Sequence, residues 1–72
     1  MKPLTAKKTI RALEKIGFLK VRQKGSHVIM RHPDGRMTVV PIHRGEDIGP
    51  GLLLEIIKDT KLSKEEFLDL LD

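Results

Sequence analysis

The chain has 72 residues, of which 39% are hydrophobic and 33% charged, and its formal net charge is +4. This length predicts a single domain over residues 1–72, and the composition is typical of a globular protein. The chain has no cysteine, which excludes disulfides, thiolate nucleophiles and thiolate zinc sites. There is no membrane-spanning apolar run and no secretory pattern at the N-terminus, so we expect a cytoplasmic protein, and its positive charge favours polyanionic partners.

The first predicted element is a helix over residues 5–16. Its apolar residues recur at helical spacing, Thr5 is a suitable N-cap, and Gly17 supplies a C-terminal stop. The opposite face carries cationic residues at helical spacing, namely Lys7, Lys8, Arg11 and Lys15. Such a stripe either contacts phosphates or is an ordinary solvated helix face.

Three β-prone runs follow, over residues 18–23, 27–31 and 37–42. They are separated by Lys24-Gly25-Ser26 and by His32-Pro33-Asp34-Gly35, and both segments have the composition of tight turns. The pattern predicts a meander of three antiparallel strands. Pro41 cannot donate a ladder hydrogen bond, so it places the third strand at an edge or ends its pairing.

A loop is predicted over residues 44–51, with Pro50 at the start of a second helix that runs to about Lys58. Ser63 and Glu66 form a capping box that predicts a short third helix. The order αβββα with a helical extension predicts an α+β fold, in which the helices pack on one face of a three-stranded antiparallel sheet and leave the other face partly open.

Several short strings occur in a characteristic order: GSH at 25–27, RHPDGR at 31–36, VPIH at 40–43, PG at 50–51 and a closing SKEEFLDLL. In this order and spacing the chain resembles the HicA toxin family, the RNA-cleaving half of prokaryotic HicA–HicB toxin–antitoxin pairs, over about residues 5–71. The resemblance implies a fold similar to a double-stranded-RNA-binding domain and cleavage of messenger RNA without a metal or other cofactor. It also implies a HicB-like antitoxin and catalysis by the histidine of the Gly-Ser-His motif, which is His27 here. Many family members have a second histidine directly after it, where this chain has Val28.

RNA supplies its own nucleophile, the 2′-hydroxyl, so a ribonuclease needs a proton acceptor, a proton donor and cations near the phosphate. Histidine suits both proton roles. We expect His27 either to take the 2′-hydroxyl proton or to protonate the leaving 5′-oxygen. We expect Lys24 and the backbone amides around Gly25 and Ser26 to hold the phosphate. Without the resemblance, a histidine that begins a strand after a glycine turn is usually a polar edge residue.

Further RNA contacts are expected from cations on the strands. Lys20, Arg22 and Lys24 alternate along the first strand, which predicts that all three point to one side. If that side is the open face of the sheet, these cations extend toward His27. Arg31 shares a strand face with His27 by the same alternation.

Burial of Val28 and Met30 on the opposite face of that strand would leave His27 accessible. His43 is either an RNA contact or an ordinary loop residue, and we interpret His32, in the HPDG turn, as structural or solvated.

No carboxylate has a recognised metal-ligand spacing, so we predict no metal site. Phe18 and Phe67 are expected in the core, which leaves recognition to phosphate and sugar contacts and to stacking on arginine or histidine side chains. Two other functions compete with the ribonuclease: a non-catalytic RNA-binding module of the same fold, and a domain that binds only protein. We expect the free toxin to be a monomer and its antitoxin to mask His27.

Overall fold

A computed structural model describes residues 4–42 and 47–71 of the chain. The elements follow in this order: β1 (Leu4–Thr5), α1 (Ala6–Lys15), β2 (Leu19–Lys24), β3 (His27–Arg31), β4 (Met37–Pro41), β5 (Asp47–Ile48), α2 (Pro50–Thr60) and α3 (Lys64–Leu68). Strands β2, β3 and β4 form an antiparallel sheet in that order, with β4 at an edge, and β1 pairs with β5. The predicted α+β fold is therefore confirmed, and it is compatible with a double-stranded-RNA-binding-domain-like fold.

The small β1–β5 pair was not predicted. Strand β5 occupies part of the predicted loop over residues 44–51, and residues 44–46 of that loop lie outside the described residues. None of the helices in the described ranges has the length and apolar character needed to cross a membrane.

The helix ends follow the predicted signals. The Thr5 side chain accepts a hydrogen bond from the Lys8 amide at 3.1 Å, and Gly17 follows α1 with a φ of +98°. Helix α2 begins at Pro50 as predicted and extends to Thr60, two residues beyond the predicted end at Lys58. The predicted capping box of α3 is present. The Thr5 cap, the turn at Gly17 and the α3 capping box each satisfy backbone groups that a helix leaves without a partner.

The core lies between the helices and one face of the sheet. Val28 and Met30 of β3 are fully buried, as predicted, and so are Phe18 and Phe67. These side chains join apolar residues of α1, β4 and α2 in one cluster, which includes Leu13, Val40, Leu53 and Ile56. Burial of this apolar area is the main stabilising contribution in so small a chain.

The other face of the sheet is open. Residues opposite each other in antiparallel strands share a face, so the pairs His27–Pro41 and Arg31–Met37 lie on the side away from the core. Met37 is 54% exposed, and every residue of β2 is exposed. This agrees with the predicted coverage of one sheet face only.

Strand β2 contains a β-bulge that changes which cations share a face. Lys20 is opposite the buried Met30, whereas Arg22 is opposite Ile29 and the register shifts between Lys20 and Arg22. Lys20 therefore points to the covered side of the sheet. The prediction that Lys20 shares a face with Arg22 and Lys24 is wrong, because the extra residue in the bulge interrupts the two-residue alternation.

The turn between β3 and β4 is tied to the core and to α2. The ring of His32 lies edge-on to Phe18, with centroids 5.4 Å apart, and its Nδ1 accepts a hydrogen bond from the Asp34 amide at 3.1 Å. The Arg36 guanidinium lies 5.3 Å from the Phe18 ring centroid and donates to the Thr60 carbonyl at 2.6 Å. These contacts confirm the structural interpretation of His32.

Candidate active site

His27 follows a two-residue turn that fixes its position. Gly25 and Ser26 connect β2 to β3, and Lys24 is directly opposite His27. Gly25, the first turn residue, has a φ of +59°. Ser26, the second, does not have a positive φ, since Lys61 is the one non-glycine residue in the described ranges that does. Positive φ at the first turn residue alone is the pattern of a type II′ turn, which favours glycine at that position.

The outer side of this turn is open to a ligand. A Cβ atom added at Gly25 would meet no atom within 4 Å, so the backbone φ and not crowding favours glycine there. A phosphate group can therefore approach the backbone closely at this position.

The turn is anchored from both neighbouring strands. The Ile42 amide, just beyond β4, donates a hydrogen bond to the Ser26 carbonyl. The Gln23 side chain donates to the Gly25 carbonyl at 3.2 Å. His27 is itself flanked by Lys24 on β2 and by Pro41 on β4. The backbone around His27 is thus held by hydrogen bonds and by strands on both sides. A functional site needs this kind of support to keep a reactive side chain in position.

The open face brings His27 together with two of the predicted cations. His27 is exposed, and Lys24 directly opposite places its Cβ about 5 Å away, the spacing of cross-strand pairs. Arg22 lies on the same face, opposite Ile29. His27, Lys24 and the Gly25-Ser26 turn therefore form one cluster, with Arg22 next to it along β2.

The other predicted RNA contacts are separated from this cluster. Arg31 is on the open face but at the far end of β3, about 13 Å from His27 along the strand. It lines a shallow depression with Leu19, Val21, His32 and Pro33. Lys20 lies on the covered side, and the predicted contact His43 lies outside the described residues.

The hairpin that carries the cluster has an uneven charge. Residues 19–31 include four cations and neither Asp nor Glu. This gives the β2–β3 hairpin a positive potential that attracts anionic ligands. The absence of acidic residues from this segment is a signal that the sequence itself carries.

The sequence-based assignment missed Pro41 as the residue beside His27. A two-residue turn fixes the β2–β3 register, but the β3–β4 register depends on the four-residue HPDG turn, whose geometry the sequence leaves open.

The carboxylates with altered titration lie outside the cluster. The Arg36 backbone amide, helped by its guanidinium, lowers the pKa of Asp34. The Ser63 backbone amide lowers the pKa of Glu66 in the α3 capping box. Within residues 4–42 and 47–71, no three histidine or carboxylate side chains come together as possible metal ligands.

Comparison with known families finds one that fits this geometry. Residues 6–62 match the family described as "HicA toxin of bacterial toxin-antitoxin". The matched segment contains the whole three-stranded sheet and the Gly25-Ser26-His27 turn, and it ends just before α3. Comparison with curated proteins gave no match.

Proposed function

Because this chain belongs to the HicA toxin family of bacterial toxin–antitoxin systems, we propose that it is an endoribonuclease that cleaves messenger RNA in the cytoplasm and so inhibits translation. The family makes the chain a toxin with a cognate antitoxin. The observation that carries the enzymatic proposal is the position of His27, which is exposed on the open face directly opposite Lys24.

The proposed reaction uses the nucleophile that RNA provides. The 2′-oxygen attacks the adjacent phosphorus, the bond from phosphorus to the 5′-oxygen breaks, and the products are a 2′,3′-cyclic phosphate and a 5′-hydroxyl. One group must take the 2′-hydroxyl proton and another must protonate the leaving oxygen. We propose that His27 supplies one of these two transfers.

The cations beside His27 suit the charge that develops in this reaction. Negative charge grows on the phosphate oxygens in the transition state, and fixed positive groups stabilise it. Lys24 is the residue nearest in register to His27, so it is our candidate for this contact. Arg22 and Arg31 extend the positive surface along the open face, and we propose that they hold flanking phosphates.

The test compares wild type with His27→Ala on a messenger RNA transcript in excess EDTA. We expect the substitution to lower kcat by about 10²- to 10⁴-fold, the usual contribution of a general acid or base, with little change in RNA binding. His32→Asn is the matched histidine control, because an amide oxygen can still accept the Asp34 hydrogen bond. It should cleave at nearly the wild-type rate.

Three results would count against this proposal. Equal cleavage by wild type and His27→Ala removes His27 from the chemistry. If both proteins bind RNA and neither cleaves it, the chain is a non-catalytic RNA-binding module instead. A single 2′-deoxy substitution at a mapped cleavage site should abolish cleavage there, since it removes the nucleophile. Persistent cleavage would exclude the proposed route.

We further propose that the cognate antitoxin is HicB-like and masks His27. The open face combines cations with exposed apolar side chains such as Val39, which suits an acidic partner segment with apolar residues of its own. Modification of His27 by diethylpyrocarbonate should be slower in the complex than in the free toxin. An unchanged rate would mean that the antitoxin inhibits from another surface.

A further inference from the structure

We infer that a groove between α1 and the outer strand β2 binds a second phosphate of the RNA, a few nucleotides from the scissile one. This inference rests on the proposed ribonuclease function and adds a substrate-binding site to it. The groove has a volume of about 320 Å³. Its lining residues are Lys7, Ile10, Arg11, Glu14, Lys20 and Ile42.

The chemistry of the groove fits a phosphate. Among the described lining residues, three are cations and one is a carboxylate, and all four charged side chains are exposed. Lys7 and Arg11 are four residues apart on α1 and therefore lie on the same helix face. Ile10 and Ile42 are partly buried apolar residues packed on the core. Arg11 and the two lysines can each donate charge-assisted hydrogen bonds to phosphate oxygens.

The bulge in β2 is what adds Lys20 to this groove. In a regular strand Lys20 would share the face of Arg22 and Lys24. The register shift instead places Lys20 opposite Met30, on the side that α1 covers. Bulges commonly redirect one side chain in this way near functional sites.

The groove is connected to the His27 cluster. Ile42 lines the groove, and its amide holds the Ser26 carbonyl in the turn before His27. Along β2, Lys20 lies four residues from Lys24, a span of roughly 13 Å that the bulge shortens. A few nucleotides of single strand cover this distance.

The two sites lie on opposite faces of the sheet, so the RNA must pass around the outer side of β2. Strand β2 is at one edge of the sheet, and in the described part of the chain no further strand pairs with its outer side. The RNA backbone can therefore cross this edge from the His27 cluster to the groove.

The first measurement is the binding of an all-2′-deoxy oligonucleotide of about a dozen nucleotides, a length typical of single-strand sites. Because this probe cannot be cleaved, the result does not depend on catalysis. We expect the Lys7→Ala/Lys20→Ala variant to bind it about tenfold more weakly. The slope of log K against log salt should fall by about 0.7 to 1, the contribution of one phosphate contact.

Two further variants show whether the loss of binding comes from the groove itself or from the lower net charge of the protein. Lys58→Ala/Lys64→Ala also removes two exposed cations, one on α2, which packs against β4, and one on α3. It should bind the oligonucleotide within about twofold of wild type. Glu14→Gln removes the carboxylate found among the described lining residues and should tighten binding by about two- to threefold, as expected for an exposed charge near a bound phosphate.

The second measurement is cleavage. The Lys7→Ala/Lys20→Ala variant should show a raised KM and an unchanged kcat on long RNA, and normal cleavage of a dinucleotide, which is too short to reach the groove. Four results would overturn the inference. These are wild-type binding of the oligonucleotide by the Lys7→Ala/Lys20→Ala variant, an equal loss of binding by the Lys58→Ala/Lys64→Ala control, an equal fall in cleavage of the dinucleotide, and, in the groove variant, weaker binding of the antitoxin together with normal binding of the oligonucleotide. If wild type cleaves no RNA, the proposed function fails, while the oligonucleotide measurement still decides the groove.

Discussion

Arg36 is expected to contribute most of the stability of the turn between β3 and β4. Its guanidinium makes three contacts: with the Thr60 carbonyl at 2.6 Å, with the Asp34 carboxylate at 2.8 Å, and with the Phe18 ring at 5.3 Å from the centroid. Thr60 is the last residue of α2, so a cation at this carbonyl also interacts favourably with the helix dipole. One side chain therefore joins the turn, the core and the second helix.

The cost of Arg36→Ala follows from these contacts. A hydrogen bond from a charged donor contributes about 1.5–3 kcal/mol. The exposed ion pair with Asp34 adds about 0.2–1 kcal/mol and the cation–π contact about 0.5–1 kcal/mol. The three contributions share one side chain and do not add fully, so we expect Arg36→Ala to lower the free energy of unfolding by about 3 kcal/mol. Arg36→Lys keeps the charge but loses the planar fork, and we expect about half that loss.

Urea unfolding monitored by far-UV circular dichroism measures these differences, because the chain has no tryptophan or tyrosine for fluorescence. Arg31→Ala is the matched control, since it removes an exposed arginine from the end of β3 and should change the free energy of unfolding by less than about 0.5 kcal/mol. A loss for Arg36→Ala no larger than for Arg31→Ala would refute this reasoning. Equal stability of Arg36→Lys and wild type would show that charge alone matters.

Two further predictions concern Gly17 and the acid limit of stability. A Cβ at Gly17 would lie 2.8 Å from His32 Nε2. At Gly35 the φ is similar, +101°, but an added Cβ would meet no atom within 4 Å, so Gly17→Ala should destabilise the protein more than Gly35→Ala. We expect Gly17→Ala to lower the free energy of unfolding in urea by about 1–3 kcal/mol. The pKa of Glu66 lies below its ordinary value of 4.5, so its stabilising effect is present above that pH and is lost as the pH falls through the lowered pKa. Glu66→Gln keeps the capping hydrogen bond but removes the titrating group. The free energy of unfolding of this variant should therefore fall less than that of wild type between about pH 7 and about pH 3. An equal fall in both proteins would contradict a stabilising role for the ionised Glu66.

Local signals in the sequence predicted most of the fold because they act over a few residues. The Ser63–Glu66 capping box, the helix stop at Gly17 and the Gly25 turn are each set by neighbours in the chain. The accessible position of His27 followed from the same kind of reasoning, since the buried Val28 and Met30 alternate with it.

The features that the sequence did not predict depend on partners far along the chain. The alternation of Lys20 with Arg22 resembles a regular strand, and only the pairing with β3 reveals the bulge. The two-residue strands β1 and β5 are too short to show any periodicity. The contact of His32 with Phe18 joins residues on either side of the hairpin, so the structural role of the RHPDGR string becomes explicit only in three dimensions.

The exposed position of β2 has a consequence for handling the free toxin. An edge strand with an uncovered face is a template for intermolecular pairing and aggregation, and charged side chains such as lysine oppose this. Lys20, Arg22 and Lys24 are all exposed on this strand, next to Leu19 and Val21, which are 59% and 55% exposed. Neutralising these cations is therefore expected to lower solubility, in addition to removing the proposed RNA contacts. Activities of such variants should be referred to the concentration of monodisperse protein, measured by size-exclusion chromatography with light scattering.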